Sequence, residues 1–127
     1  MSTNNEKPTA ESIERVLMGF CGTITYHPHS LGGKTILLTE GCDFIRQTLG
    51  AFWLFDLIAS YQGPKLQGLY MQVWTIKRKI EKTNAVITCE DGDKNVIINQ
   101  DIPFTDFLLT SFTVWLVENV AMLPTEY

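Results

Sequence analysis

The spacing of the apolar residues changes near residue 65, and this change constrains the fold more than any single motif. Before it, Ile13, Val16, Leu17 and Phe20 fall on one side of a helix, as do Phe44, Ile45, Thr48 and Leu49. Leu54, Leu57, Ile58 and Tyr61 repeat the pattern. After it, apolar and polar residues alternate in segments rich in aromatic and β-branched side chains. These are "LYMQVWTIKRKI", "AVITCE", "NVIINQ", "LLTSFTVWLV" and "VAML". Alternation with period two is the signature of a half-buried strand.

Local signals place the boundaries. Thr9 or Ser12 can cap the first helix, because a hydroxyl accepts from a free backbone N–H there. A second helix starts near Thr39 or Glu40, is ended or kinked at Gly50, and stops before Gly63-Pro64. Between the helices, "TITYH" and "TILLT" read as a hairpin over residues 23–39, with Pro28 spoiling the far end of its first strand. Asp91-Gly92 is a two-residue hairpin signal, and Glu118-Asn119 marks another turn. The expected fold is α+β. It is an antiparallel β-meander sheet with an N-terminal helix and a two-part helix covering one face. Residues 1–8 lack apolar periodicity and are expected to be disordered, with residues 9–127 forming a single α+β domain.

Composition narrows the function classes. A net charge of −4 over 127 residues argues against non-specific nucleic-acid binding, which needs excess Lys and Arg. The run "KRKIEK" is basic, with Lys77, Arg78, Lys79 and Lys82, yet Glu90, Asp91 and Asp93 follow on the next hairpin and weaken its field. No apolar run reaches the length of a membrane span, and the polar N-terminus is unlike a signal peptide. Cys21, Cys42 and Cys89 are odd in number and widely spaced, which favours reduced thiols. The chain therefore reads as a cytoplasmic, soluble protein without membrane partners or cofactors.

The segment "TEGCDFIRQTLGAFWLFDLIASYQ", together with "QVWTI", "PFTDF" and the closing "MLPTEY", resembles a family of small uncharacterised bacterial proteins found in cyanobacteria and phages. Members close on a Leu-Pro-(Ser/Thr)-Glu-Tyr motif. The resemblance covers roughly residues 15–127 and implies no activity, cofactor or site residue.

Candidate chemistry is sparse. Gly32 to Thr35, "GGKT", imitates the end of a phosphate loop, but Pro28 stands where that motif has its first glycine. His27 and His29 are two apart, so on a strand they share a side and offer a metal-ligand alternative. Asp56, Asp106 and Glu126 each sit among aromatic residues. If they converged, they could serve a small metal-dependent hydrolase or nuclease. For Asp56, inside "GAFWLFDLIAS", the plainer expectation is a carboxylate that accepts hydrogen bonds from protein groups. The leading reading is a non-enzymatic binding or accessory module acting through protein partners or self-association. Its expected contact residues are Trp53, Tyr70, Trp74, Trp115 and Tyr127, on a sheet too large for its helices to cover on both faces.

Overall fold

The computed structural model describes residues 9–20, 25–64, 66, 68–79, 83–103, 105 and 107–127. The expected disordered stretch 1–8, Cys21, Lys82 and Asp106 lie outside the described residues. Among the described residues, three α-helices precede most of the sheet: α1 (Ala10–Leu17), α2 (Glu40–Thr48) and α3 (Phe52–Ser60). Thr9 caps α1 by accepting from the Ser12 amide, and the Ser12 hydroxyl accepts from the Thr9 amide in return. Thr39 caps α2 by accepting from the Cys42 amide. Gly50, at φ 62°, makes the break between α2 and α3, where a side chain would be strained.

The strands are β1 (His27–Leu31), β2 (Lys34–Leu38), β3 (Met71–Arg78), β4 (Ala85–Glu90), β5 (Val96–Ile102), β6 (Ser111–Val117) and β7 (Val120–Met122). They form one seven-stranded sheet in the order β1-β2-β7-β6-β3-β4-β5. The α+β class is as expected, but the meander is not. Strands β3, β4 and β5 follow one another as antiparallel neighbours, and the chain then returns so that β6 lies on the far side of β3. That spatial order is a Greek key. β7 then pairs antiparallel with β6 and parallel with β2. Alternation marks a strand and its faces without choosing its neighbour, so this long-range return was not legible in the sequence.

Two turns also differ from expectation. Of the expected strand "TITYH", Thr23 and Ile24 lie outside the described residues, Thr25 and Tyr26 stand before the strand, and β1 begins at His27 and runs through Pro28. An edge strand tolerates proline because one side of its backbone faces no neighbour. Gly32 and Gly33, with φ of 57° and 83°, then close a tight hairpin onto Lys34. Between β4 and β5, Asp91-Gly92 does not act as a two-residue turn. The Asp91 carboxylate instead accepts from the amides of Asp93 and Asn95 and from the Asn95 side chain, folding residues 91–95 into a longer loop. These bonds hold the Asp91 carboxyl below its usual range.

The helices lie on one face of the sheet. Leu54, Phe55, Ile58 and Ala59 of α3 pack with Trp74, Ile76, Ile87, Phe112, Val114 and Leu116 in a common buried cluster. Trp74 is 1% exposed, and its indole N–H donates to the Gln72 side chain, which exchanges two further bonds with Gln62. A large ring enters the core here because its one polar atom is satisfied. Burial of Cys42 and Cys89 pushes both thiols up, the second to about 12.

The closing segment is tied to α2. After β7, Leu123 is buried, and a 3-10 turn spans Pro124–Glu126. The Glu126 carboxylate accepts from the Thr39 hydroxyl at 2.6 Å, the Gly41 amide at 3.1 Å and the Leu123 amide at 2.9 Å. The Gly41 amide belongs to the first turn of α2, where backbone donors lack helical partners and negative charge is stabilised. A Cβ on Gly41 would sit 2.7 Å from Glu126 Oε1 and 2.8 Å from Leu123 Cγ, so only glycine admits this approach. Glu126→Ala is expected to lower stability by about 1–3 kcal/mol, the scale of losing charge-assisted bonds. Gly41→Ala is expected to act in the same direction by overpacking, again by about 1–3 kcal/mol. Urea unfolding checks both, and unchanged midpoints would contradict the clip.

Candidate functional site

The sheet face away from the helices carries side chains in cross-strand rows. The first row is Ser111, Lys77, Val86 and Asp101, read across β6, β3, β4 and β5. The second is Thr113, Thr75, Thr88 and Asn99 on the same strands. The third adds β7 and reads Met122, Trp115, Val73, Glu90 and Val96. The fourth is Pro28, Leu37, Val120, Val117 and Met71. The face is thus polar and threonine-rich at one end and apolar at the other. A shallow depression of about 400 Å³ lies over the threonines, with Lys77 and Glu90 both on its lining.

The apolar end has an aromatic corner. Trp115 meets Tyr127 edge-on, with ring centroids 5.5 Å apart, and the Tyr127 hydroxyl lies 3.2 Å from that of Tyr70. This bond raises the Tyr70 hydroxyl above its usual pKa. Tyr70 and Tyr127 are 59% and 62% exposed, so the corner offers ring surface to solvent. Three of the five expected contact residues, Tyr70, Trp115 and Tyr127, therefore come together. The other two lie apart from them. Trp74 points into the core, and Trp53, on α3, packs edge-on against Phe107. Even register explains the split, because Trp74 and Trp115 sit one pair out of step on neighbouring strands. The threonine row was missed, although each threonine stands between two apolar residues in "WTI", "ITC" and "FTV".

The carboxylates and histidines are committed elsewhere. His29 is buried, and its Nε2 lies 2.7 Å from Asp56 Oδ1. Its Nδ1 lies 3.0 Å from Arg46 Nη1. A guanidinium only donates, so Nδ1 carries the lone pair and Nε2–H donates to Asp56. Both ring nitrogens are thereby occupied. Arg46 also donates to the Pro28 carbonyl and to Asp43 Oδ1, and it stacks over the Phe52 ring at 5.6 Å. His27 Nδ1 stands 3.8 Å from Asp43 Oδ2. The acid within an apolar helix thus pins α3 to the edge strand β1, while Glu126 serves α2 and the closing segment. Among the described residues, Asp56 and Glu126 share no hydrogen-bond partner, and Asp106 is outside them. Among the described residues, no three His, Cys, Asp or Glu side chains are grouped as metal ligands.

The basic run divides similarly. Arg78 turns its guanidinium to the Phe107 carbonyl, at 2.5 Å, leaving Lys77 on the open face. Asp56→Leu strands the buried His29 N–H and is expected to cost about 1–3 kcal/mol. Asp56→Asn keeps an acceptor oxygen and is expected to preserve most of the stability. Equal unfolding midpoints for the wild type and Asp56→Leu would refute the pin.

No described helix is long and apolar enough to cross a membrane. No curated protein and no solved structure matches the chain. A family of unknown function does match, over residues 11–127, and the chain belongs to that family, DUF6876.

Proposed function

We propose that this protein is a non-enzymatic binding or accessory module that acts through protein–protein contacts on the open sheet face. The observation that carries the reading is the aromatic corner of Tyr70, Trp115 and Tyr127, set beside Met71, Val73 and Met122 on the sheet face opposite the one on which the described helices pack. Trp, Tyr and Met are enriched where proteins meet, and large rings on a rigid sheet lose little entropy on contact. Trp115 and Tyr127 meet at 74°, so they do not form the flat platform that stacked sugars or bases need. The chain's negative charge also disfavours a nucleic acid.

The competing reading, metal-dependent hydrolysis through Asp56, Asp106 and Glu126, is less well supported. Two of these acids are held by His29 and by α2 in bonds that explain their positions without a substrate. The buried, unpaired Cys42 and Cys89 support a reducing, cytoplasmic setting. A bacterial or phage-related source, suggested by the closing Leu-Pro-Thr-Glu-Tyr, is part of the same proposal.

A photoreactive residue in place of Tyr127 tests the reading in cells. The expected result is a discrete cross-linked protein adduct, absent when the same group replaces the exposed Gln47 on α2. No adduct, or the same products from both positions, would contradict it.

A further inference from the structure

We infer that the occupant of the aromatic corner is a lysine side chain from a basic segment of the partner protein, its ammonium held between the Trp115 and Tyr127 rings beside Glu118. This inference rests on the proposed binding role and names the chemistry of its partner.

Ring geometry is the first argument. The planes of Trp115 and Tyr127 meet at 74° with centroids 5.5 Å apart, and Tyr70 adds a third ring through the contact between the two tyrosine hydroxyls. Cations are drawn to the negative faces of aromatic rings within about 6 Å, and to indole most strongly. A planar guanidinium lies flat on one ring, whereas a compact ammonium touches two walls of a corner at once. Tyr70 and Tyr127 are exposed and Trp115 is half-buried, so an incoming side chain reaches the rings without displacing the sheet.

Charge is the second argument. The corner stands at the end of the sheet that also holds the β6–β7 turn and the β4–β5 loop. Met71 pairs with Val117 there, and a Cβ on Gly92 would lie 3.8 Å from the Met71 Cβ. Among the described residues, that end carries Glu90, Asp91, Asp93 and Glu118 against Lys34 and Lys94. Lys34 is turned away, because its ammonium donates to the Ser60 carbonyl on α3. Lys77 is at the opposite end of β3, paired with Ser111. Aromatic rings in acidic surroundings attract a basic segment and disfavour an acidic one.

The backbone supplies the third. Glu118 and Asn119 form the two-residue turn between the paired Val117 and Val120, at φ of 48° and 71°. Asparagine suits such a turn, but glutamate seldom adopts the left-handed region. The exposed Glu118 carboxylate has no hydrogen-bond partner among the described residues that would offset this strain. Its charge does reach the corner. The Tyr70 hydroxyl is raised chiefly by its bond to Tyr127 and in smaller part by Glu118. A strained residue at a binding surface points to a use for its side chain. Here the carboxylate is placed to accept from an ammonium that the ring faces attract.

NMR titration of the full chain with Nα-acetyl-lysine N-methylamide at constant ionic strength tests this, with circular dichroism as the check that each variant folds. The expected result is a shift of the Trp115 indole N–H signal. The uncharged norleucine analogue is expected to leave that signal in place, and the arginine analogue to shift it more weakly. Tyr127→Leu is expected to weaken lysine binding about two- to fivefold, the scale of an exposed cation–π contact. Glu118→Asn is expected to weaken it by about the same factor, the scale of an exposed charge pair. Its thermal unfolding midpoint is expected to be no lower than that of the wild type, because asparagine relaxes the turn. No shift with the lysine probe, an equal shift with either analogue, or binding indifferent to both substitutions would overturn the proposal. If the lysine probe fails while position 127 still cross-links to a protein in cells, the lysine inference fails and the binding role stands. If both measurements are negative, both fail.

Discussion

The short strand β7 and the Glu126 carboxylate behind it hold the two parts of the sheet together. β1 and β2 form a hairpin, and β3 to β6 form the Greek key. Between them lies only the three-residue strand Val120–Met122. Its parallel pairing with β2 is continued by the Leu37 amide donating to Asn119 O and the Thr39 amide donating to Ala121 O. So short a ladder is weak alone. It is held because Leu123 is buried and Glu126 takes three donors, two of them at the start of α2. One ionised side chain thus satisfies a helix terminus, closes the final turn and fixes a strand.

Everything on the open face follows from that closure. With β7 in place, Met122 falls beside Trp115 and Val120 beside Leu37, which extends the apolar rows onto the hairpin. Pro124–Glu126 turns the chain back so that Tyr127 reaches Trp115 and Tyr70. On the helical face, the His29–Asp56 contact and the Arg46 bonds hold β1 against α3 and α2. The hairpin is therefore gripped from both ends: by β7 in the plane of the sheet and by α3 across its inner face.

Much of the local structure was legible in the sequence because local structure obeys local rules. Thr9 and Thr39 are caps, Gly50 is the break between helices, and the strand at 111–117 alternates as burial requires. What was not legible depends on residues distant in the chain. His29 and Asp56 are 27 positions apart, and Thr39 and Glu126 are 87 apart, so no motif links them. Asp91-Gly92 misled for a different reason. The Asp91 side chain folds a longer loop by bonding amides that a tight turn would have paired with backbone. The aromatic residues were recognised as a group, but only register could divide them, sending Trp74 inward and Trp115 outward.

Amide hydrogen exchange in the Glu126→Ala variant tests the closing clip most directly. The Leu37 and Thr39 amides report the β2–β7 junction, and the Val73, Thr75 and Val114 amides report the Greek key. If one carboxylate holds the two parts together, protection at Leu37 and Thr39 falls well before that of the Greek-key amides. Protection unchanged at the junction, or lost in equal measure across the whole sheet, would contradict the account.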